Sequence, residues 1–221
     1  MGPSGSGKST FAMVFARRCA DRGERAAVFL FDEARETMLA RMRGIGMGID
    51  AHVEAERVEV TQVDPAQLSP GEFLHRVQAA VDEKKCRVVI IDSVNGLLQS
   101  MPNESFLLLQ LHDMLMYLGQ QGVLTVLVST EHGILGRRVA GSMDVSYLAD
   151  TVILARYFEA RGAVRKALSV MKKRTGGHEK TIREYDITSS GVGIGEPLVE
   201  FQGVLTGVPA YTGEKRGAGG A

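Results

Sequence analysis

Cysteine is scarce in this chain of 221 residues: Cys19 and Cys86 are its only two, and they stand far apart. That excludes a zinc-type ligand spacing. It leaves two buried thiols of a reducing compartment, so the expected location is the cytoplasm. An excess of charge of one sign is missing as well, since 26 Lys and Arg balance 26 Asp and Glu. Nucleic-acid binders usually carry a basic surplus, so the balance argues against DNA as a partner. No apolar run reaches transmembrane length and the start lacks a secretory pattern. There is no internal repeat and no linker. With 44% hydrophobic and 24% charged residues, the composition suits one globular domain over residues 1–211, followed by a glycine-rich, disordered tail at 212–221.

A strand is also missing at the front. The opening "MGPSGSGKST" satisfies Gly-x-x-x-x-Gly-Lys-Ser through Gly2, Gly7, Lys8 and Ser9. The usual setting is strand, glycine-rich loop, helix. Backbone N–H groups around Gly5 and Gly7, within the run Gly2, Pro3, Ser4, Gly5, Ser6, Gly7, would cradle phosphate oxygens at a helix N-terminus that continues through Thr10. Lys8 can reach the outer phosphates and the Ser9 hydroxyl can ligate magnesium. The chemistry implied is that of ATP or GTP with Mg2+.

Apolar strands alternate with amphipathic helices through the first 130 residues. A helix follows Ser9, with Phe11, Ala12, Phe15 and Ala16 on its apolar face, and stops at Gly23. "AAVFLF" (26–31), "VEVTQV" (58–63), "CRVVIIDS" (86–93) and "VLTVLVSTEH" (123–132) read as strands. Helices are predicted over 36–43, through Phe73, Val77, Ala80 and Val81, and over 105–121. This alternation predicts an α/β fold with a mostly parallel sheet and helices on both faces. Beyond residue 150 come strands without helices, "DTVILARYF", "RKALSVMKKR" and "IREYDITSSG". They are expected to form a meander finishing one edge of the same sheet.

Candidate functional residues sit where strands end. Asp92 closes "RVVII", the position of a magnesium-associated Walker B aspartate; alone, such a residue is also an ordinary cap. Asp32 and Glu33 end another strand, near the same edge. They can divide the labour of orienting and deprotonating water, with Glu33 the better base, or simply head the next helix as solvated acids. Ser129 or Thr130 can sense a terminal phosphate, and Ser93 reads as polar structure. His132 has no evident partner. In "VMKKRTGGH", Lys172 and Arg174 share a strand face and Lys173 takes the other. Those two cations can clamp phosphate or merely protect a sheet edge.

Together these residues resemble the KaiC family of circadian-clock ATPases, within the RecA-like P-loop group. The resemblance rests on "FLFDEARE", "KKRTGGHEKTIREYDIT" and "FQGVLTGVP" beside the phosphate loop, and covers residues 1–211. It is strongest toward the second, kinase-type domain. "MPNESFLLLQLHDMLMYLGQQGV" looks like KaiC-like proteins of bacteria outside cyanobacteria. The family relation implies that Asp32 and Glu33 are catalytic carboxylates, with aspartate where glutamate is usual. It implies that Lys172, Arg174 and His178 reach nucleotide held by a neighbouring subunit of a homohexameric ring. Ser146 and Tyr147 occupy the place of a serine–threonine phosphoacceptor pair, which leaves room for autokinase activity at Ser146 alone. Signalling proteins are the partners implied. The alternatives are a RecA-like recombination or repair ATPase, or a nucleotide-binding scaffold without turnover. The resemblance further implies that the chain begins inside a domain. Loss of a central strand would then unpair backbone groups and expose apolar surface.

Overall fold

The computed structural model describes residues 1–64, 66–99, 104–131, 145–206 and 209–212. His132 and the tail from 213 onward lie outside the described residues. The contacts divide the chain into two compact units: Gly7–Thr130 with Ile187–Val192, and Met1–Ser6 with Glu131–Asp186 and Gly193–Ala221.

The larger unit is built on strands buried on both faces. Its sheet is parallel, in the order β2-β1-β3-β4, from β1 (Arg25–Leu30), β2 (Val58–Gln62), β3 (Cys86–Asp92) and β4 (Leu124–Val128). Every residue from Ala26 to Leu30 and from Val88 to Ile91 is buried. The alternation of side chains then assigns the two faces. Ala26, Val28, Leu30, Val88 and Ile90 join the core formed with helix α1 (Lys8–Asp21). On the opposite face Phe29 meets Phe73 of α4 (Pro70–Asp82) edge-on, with ring centres 5.3 Å apart.

α1 buries Ala12, Met13, Ala16, Cys19 and Ala20. Phe11 and Phe15 were expected on that face, but they are half-buried and pack edge-to-face on each other at 5.6 Å. Small side chains let the helix approach the sheet, and the aromatic rings flank that contact. α4 begins with a capping box in which Ser69 and Glu72 satisfy each other's backbone N–H groups. α2 (Arg35–Gly44) and α6 (Glu104–Gln120) fall within one residue of their predicted bounds. α3 (Asp50–Glu54) and α5 (Val94–Gln99) had no helical periodicity long enough to announce them.

The smaller unit contains β5 (Thr151–Ala160), β6 (Ala163–Lys173) and most of β7 (Arg183–Thr188) and β8 (Gly191–Pro197). These strands form a sheet of their own, ordered β5-β6-β7-β8, so the meander does not finish an edge of the parallel sheet. Their backbone groups are spent on one another, starting with the β5–β6 hairpin. Its two-residue turn, Arg161 and Gly162, has φ of 55° and 72°, the primed geometry that matches strand twist. Two short strands, β9 (Phe201–Gln202) and β10 (Ala210–Tyr211), pair separately. The chain start is tied into this unit: the Met1 amine donates to the Ile153 carbonyl at 2.8 Å, and Ala155 N–H donates to Met1 O at 2.9 Å. Among the described residues no helix is long and apolar enough to cross a membrane.

Ile90 is fully buried at the centre of β3, between β1 and β4. Ile90→Ala should cost about 2–5 kcal/mol of stability, read as a lowered urea midpoint with an unchanged slope.

Candidate functional site

Loop geometry starts with its carbonyls. In the smaller unit the Tyr157 hydroxyl donates to Ser4 O at 3.3 Å, and the buried Tyr185 hydroxyl donates to Ser6 O. Burial pushes both phenols above their ordinary range, so they stay neutral donors. In a trans peptide C=O and N–H point opposite ways. The N–H of Gly5 therefore faces away from Tyr157, as an anion cradle requires. Ser6, fully buried, closes the loop by donating from both its N–H and its hydroxyl to Pro3 O, at 3.4 and 2.8 Å. Gly5 sits at φ +75°, and a β-carbon there would lie 2.7 Å from the Tyr157 hydroxyl oxygen. Only glycine meets both demands.

Helix α1 opens at Lys8 directly after the loop. The parallel register sets Leu30 opposite Asp92, and Asp92 opposite Val128. The residues that follow, Asp32 and Glu33, Ser93, and Ser129 and Thr130, consequently share the carboxyl edge of the larger unit's sheet, as expected. Burial raises the Asp92 carboxyl above its ordinary range, while a hydrogen bond from the Ser9 hydroxyl and the Arg41 charge pull it down. Ser9 and Asp92, the two residues proposed for magnesium, are thus in direct contact.

Asp32 is exposed, and its Oδ2 accepts a hydrogen bond from Ser93. Ser93, 2% exposed, also accepts from Gly96 N–H at 3.1 Å. It holds Asp32 in place, a role its polarity alone did not announce. Gly96 is close by, since a β-carbon there would meet Asp32 Oδ1 at 2.5 Å.

Glu33 is gripped by Arg41, with Nε donating to Oε1 at 3.2 Å and Nη2 to Oε2 at 2.5 Å. The same guanidinium donates from Nη1 to Thr10 Oγ1 at 2.8 Å. Thr130 is pinned through its backbone by the Asn95 amide, which donates to Thr130 O at 3.2 Å and accepts from Thr130 N–H at 2.7 Å. Arg41, Asn95, Tyr157 and Tyr185 were not singled out from the sequence, and neither was Gly96. The partners of the first four lie 8 to 179 positions away, and no local motif marks them.

Among the described residues no group of three or more His, Cys, Asp or Glu side chains is arranged to hold a metal. One hydroxyl beside one carboxylate nevertheless suits magnesium, which usually takes one or two protein oxygens, with phosphates and water filling the remainder.

Lys172 and Arg174 belong to the smaller unit, and both engage the turn Val145–Tyr147 and its flank. Lys172 Nζ donates to Ser146 O at 3.0 Å; Arg174 donates to Tyr147 O at 2.7 Å and pairs with Asp150 at 3.2 Å. Lys173 leaves on the other face and reaches Gly177 O at 3.1 Å. Lys172 and Arg174 thus reach adjacent carbonyls of one turn. His178 is half-buried and makes no hydrogen bond among the described residues. Ser146 is half-buried.

Residues 1–199 match the model of the family described as "ATPase: KaiC". The chain belongs to the KaiC family. It is 29% identical over 213 residues to the circadian clock protein KaiC3 of Synechocystis, a match covering 96% of this chain and 42% of that protein. To the circadian clock oscillator protein KaiC of Synechococcus elongatus it is 24% identical over 208 residues, 94% of this chain and 40% of that one. To the oscillator protein KaiC of Rippkaea orientalis it is 28% identical over 211 residues, with the same coverage. The chain spans about two fifths of the length of these curated relatives. All are cyanobacterial clock proteins, which overturns the expected placement among KaiC-like proteins outside cyanobacteria. The stretch that suggested that placement, residues 101–123, is mostly an amphipathic helix, whose apolar spacing any branch can share. The fold is the RecA-like P-loop fold of this family.

Replacing Gly5 by alanine should weaken ATP binding roughly tenfold, about 1.4 kcal/mol, through the strained φ and the clash with Tyr157. Tyr157→Phe in the same chain removes the clashing hydroxyl and should recover part of the loss. Isothermal titration of the three proteins checks this order.

Proposed function

We propose that this chain binds ATP with magnesium and hydrolyses it, as a KaiC-family ATPase. The observation that carries the reading is the hydrogen bond between Ser9, at the start of α1, and Asp92, at the end of β3. Both residues belong to the larger unit. Gly2, Pro3, Ser4, Gly5, Ser6 and Gly7 supply the phosphate cradle, and Lys8 neutralises charge on the outer phosphates. Ser9 and Asp92 would hold magnesium, which when bound offsets charge developing on the phosphoryl oxygens.

Glu33 takes a proton from the attacking water as general base. Asp32, fixed by Ser93, polarises that water from the same edge. Thr130, whose backbone is held by Asn95, senses the terminal phosphate.

Three finer readings follow from family membership. Lys172, Arg174 and His178 act on nucleotide held by a neighbouring copy in a homohexameric ring. Ser146 accepts phosphate as an autokinase site, with Tyr147 in place of the second acceptor. The role is that of a clock-related or other signalling ATPase, in keeping with the names of its relatives. A DNA-dependent ATPase is disfavoured by the balanced charge, and a non-hydrolysing scaffold by the paired carboxylates.

Glu33→Gln should lower kcat for ATP at least about tenfold while leaving ATP affinity within a factor of two, as loss of a base does. Lys8→Ala should instead weaken affinity. Parental turnover in the Glu33→Gln protein would remove Glu33 from the mechanism. Hydrolysis that rises only when DNA is added would favour the recombination reading.

A further inference from the structure

We infer that Arg41 is a positioning residue for hydrolysis, aiming the Glu33 carboxylate by reference to the helix that follows the phosphate loop. The inference rests on the reading of Glu33 as the base. Its physical content is one guanidinium making three directed contacts. Two go to the two oxygens of Glu33 and the third goes to the Thr10 hydroxyl.

Thr10 is 5% exposed and follows Ser9 directly, and Ser9 is hydrogen-bonded to Asp92. A continuous chain of contacts therefore runs Asp92, Ser9, Thr10, Arg41, Glu33. It spans four separate elements: the end of β3, the start of α1, the helix α2 and the loop after β1.

An exposed ion pair would carry little meaning, because such pairs contribute almost nothing. Here the two side chains are only 29% and 26% exposed, and the third contact fixes the direction of the fork. A free glutamate has three soft torsions, and holding it in one orientation costs entropy at each turnover. The fork fixes the plane of the carboxylate beforehand. It does not exhaust it, since an ionised carboxylate has about four lone-pair sites and the fork uses two. The others stay available to the attacking water.

α2 sets where Arg41 can point. Its buried side is Met38, Leu39 and Met42. At about 100° per residue, Arg41 lies about 60° from Met38, beside the buried stripe and against α1 rather than in solvent. Lysine cannot replace it, because a single ammonium does not reach both carboxylate oxygens and Thr10 at once.

A double-mutant cycle in ATP turnover tests this. Arg41→Ala should lower kcat about tenfold in the parent, with KM within a factor of two, as expected for a misaimed group. In the Glu33→Gln background the same change should lower kcat by less than twofold, because there is no base left to aim. Equal losses in both backgrounds would show that Arg41 does not act through Glu33. A rise in KM alone would make it a phosphate ligand, and unchanged kcat would remove it altogether; each overturns the inference. If Arg41→Ala fails to fold, Arg41→Lys keeps the aliphatic packing and carries the same cycle. Failure of the base reading is seen separately, as full turnover by Glu33→Gln alone, and it takes this inference with it.

Discussion

The register of the parallel ladder is the constraint on which everything else in the larger unit depends. Leu30 lies opposite Asp92, and Asp92 opposite Val128. A slip of one residue in either pairing would turn each strand's side chains to the opposite face. It would also carry Asp92 away from Ser9 and remove Asp32 from Ser93. The register is held because both faces of β1 and β3 are buried: Val28 and Ile90 belong against α1, and Phe29 against Phe73. Apolar packing in the middle of the strands thus decides where carboxylates stand at their ends.

At that edge the charges are arranged by assigned partners. Asp32 is held by a hydroxyl, Glu33 by a guanidinium, and Asp92 by the hydroxyl of Ser9. Three acids with three different neighbours can take three different tasks, although their side chains are chemically alike. Arg41 is a cation placed among them, and its charge reaches Asp92 as well as Glu33. In the smaller unit the same logic operates on the backbone. Two tyrosine hydroxyls take loop carbonyls, and Lys172 and Arg174 take those of the turn at Ser146 and Tyr147.

Much of this was legible in the sequence, for a local reason. Buried parallel strands are nearly continuous apolar runs, so "AAVFLF" and "CRVVIIDS" announce both themselves and the acids that end them. The phosphate loop is a contiguous motif. The strands after residue 150 were legible as strands but not as a separate sheet, because strand composition does not say which backbone a strand will pair with. The periodic pattern of α1 puts Phe11 and Phe15 on the apolar face together with Ala12 and Ala16, whereas close approach to a sheet favours only the two alanines. Arg41, Asn95 and Tyr185 were illegible because each acts on a group brought near only by the fold. The branch assignment failed because an amphipathic helix carries little lineage information.

The central claim is that Ser9 and Asp92 form the seat for magnesium and nucleotide together. The most direct test is ATP affinity by isothermal titration, with Mg2+ and with a chelator, for the parent chain and for Asp92→Asn. The account predicts that removing Mg2+ weakens ATP binding by the parent at least about tenfold, and that Asp92→Asn erases most of that difference. Equal affinity of the parent with and without Mg2+ would contradict it.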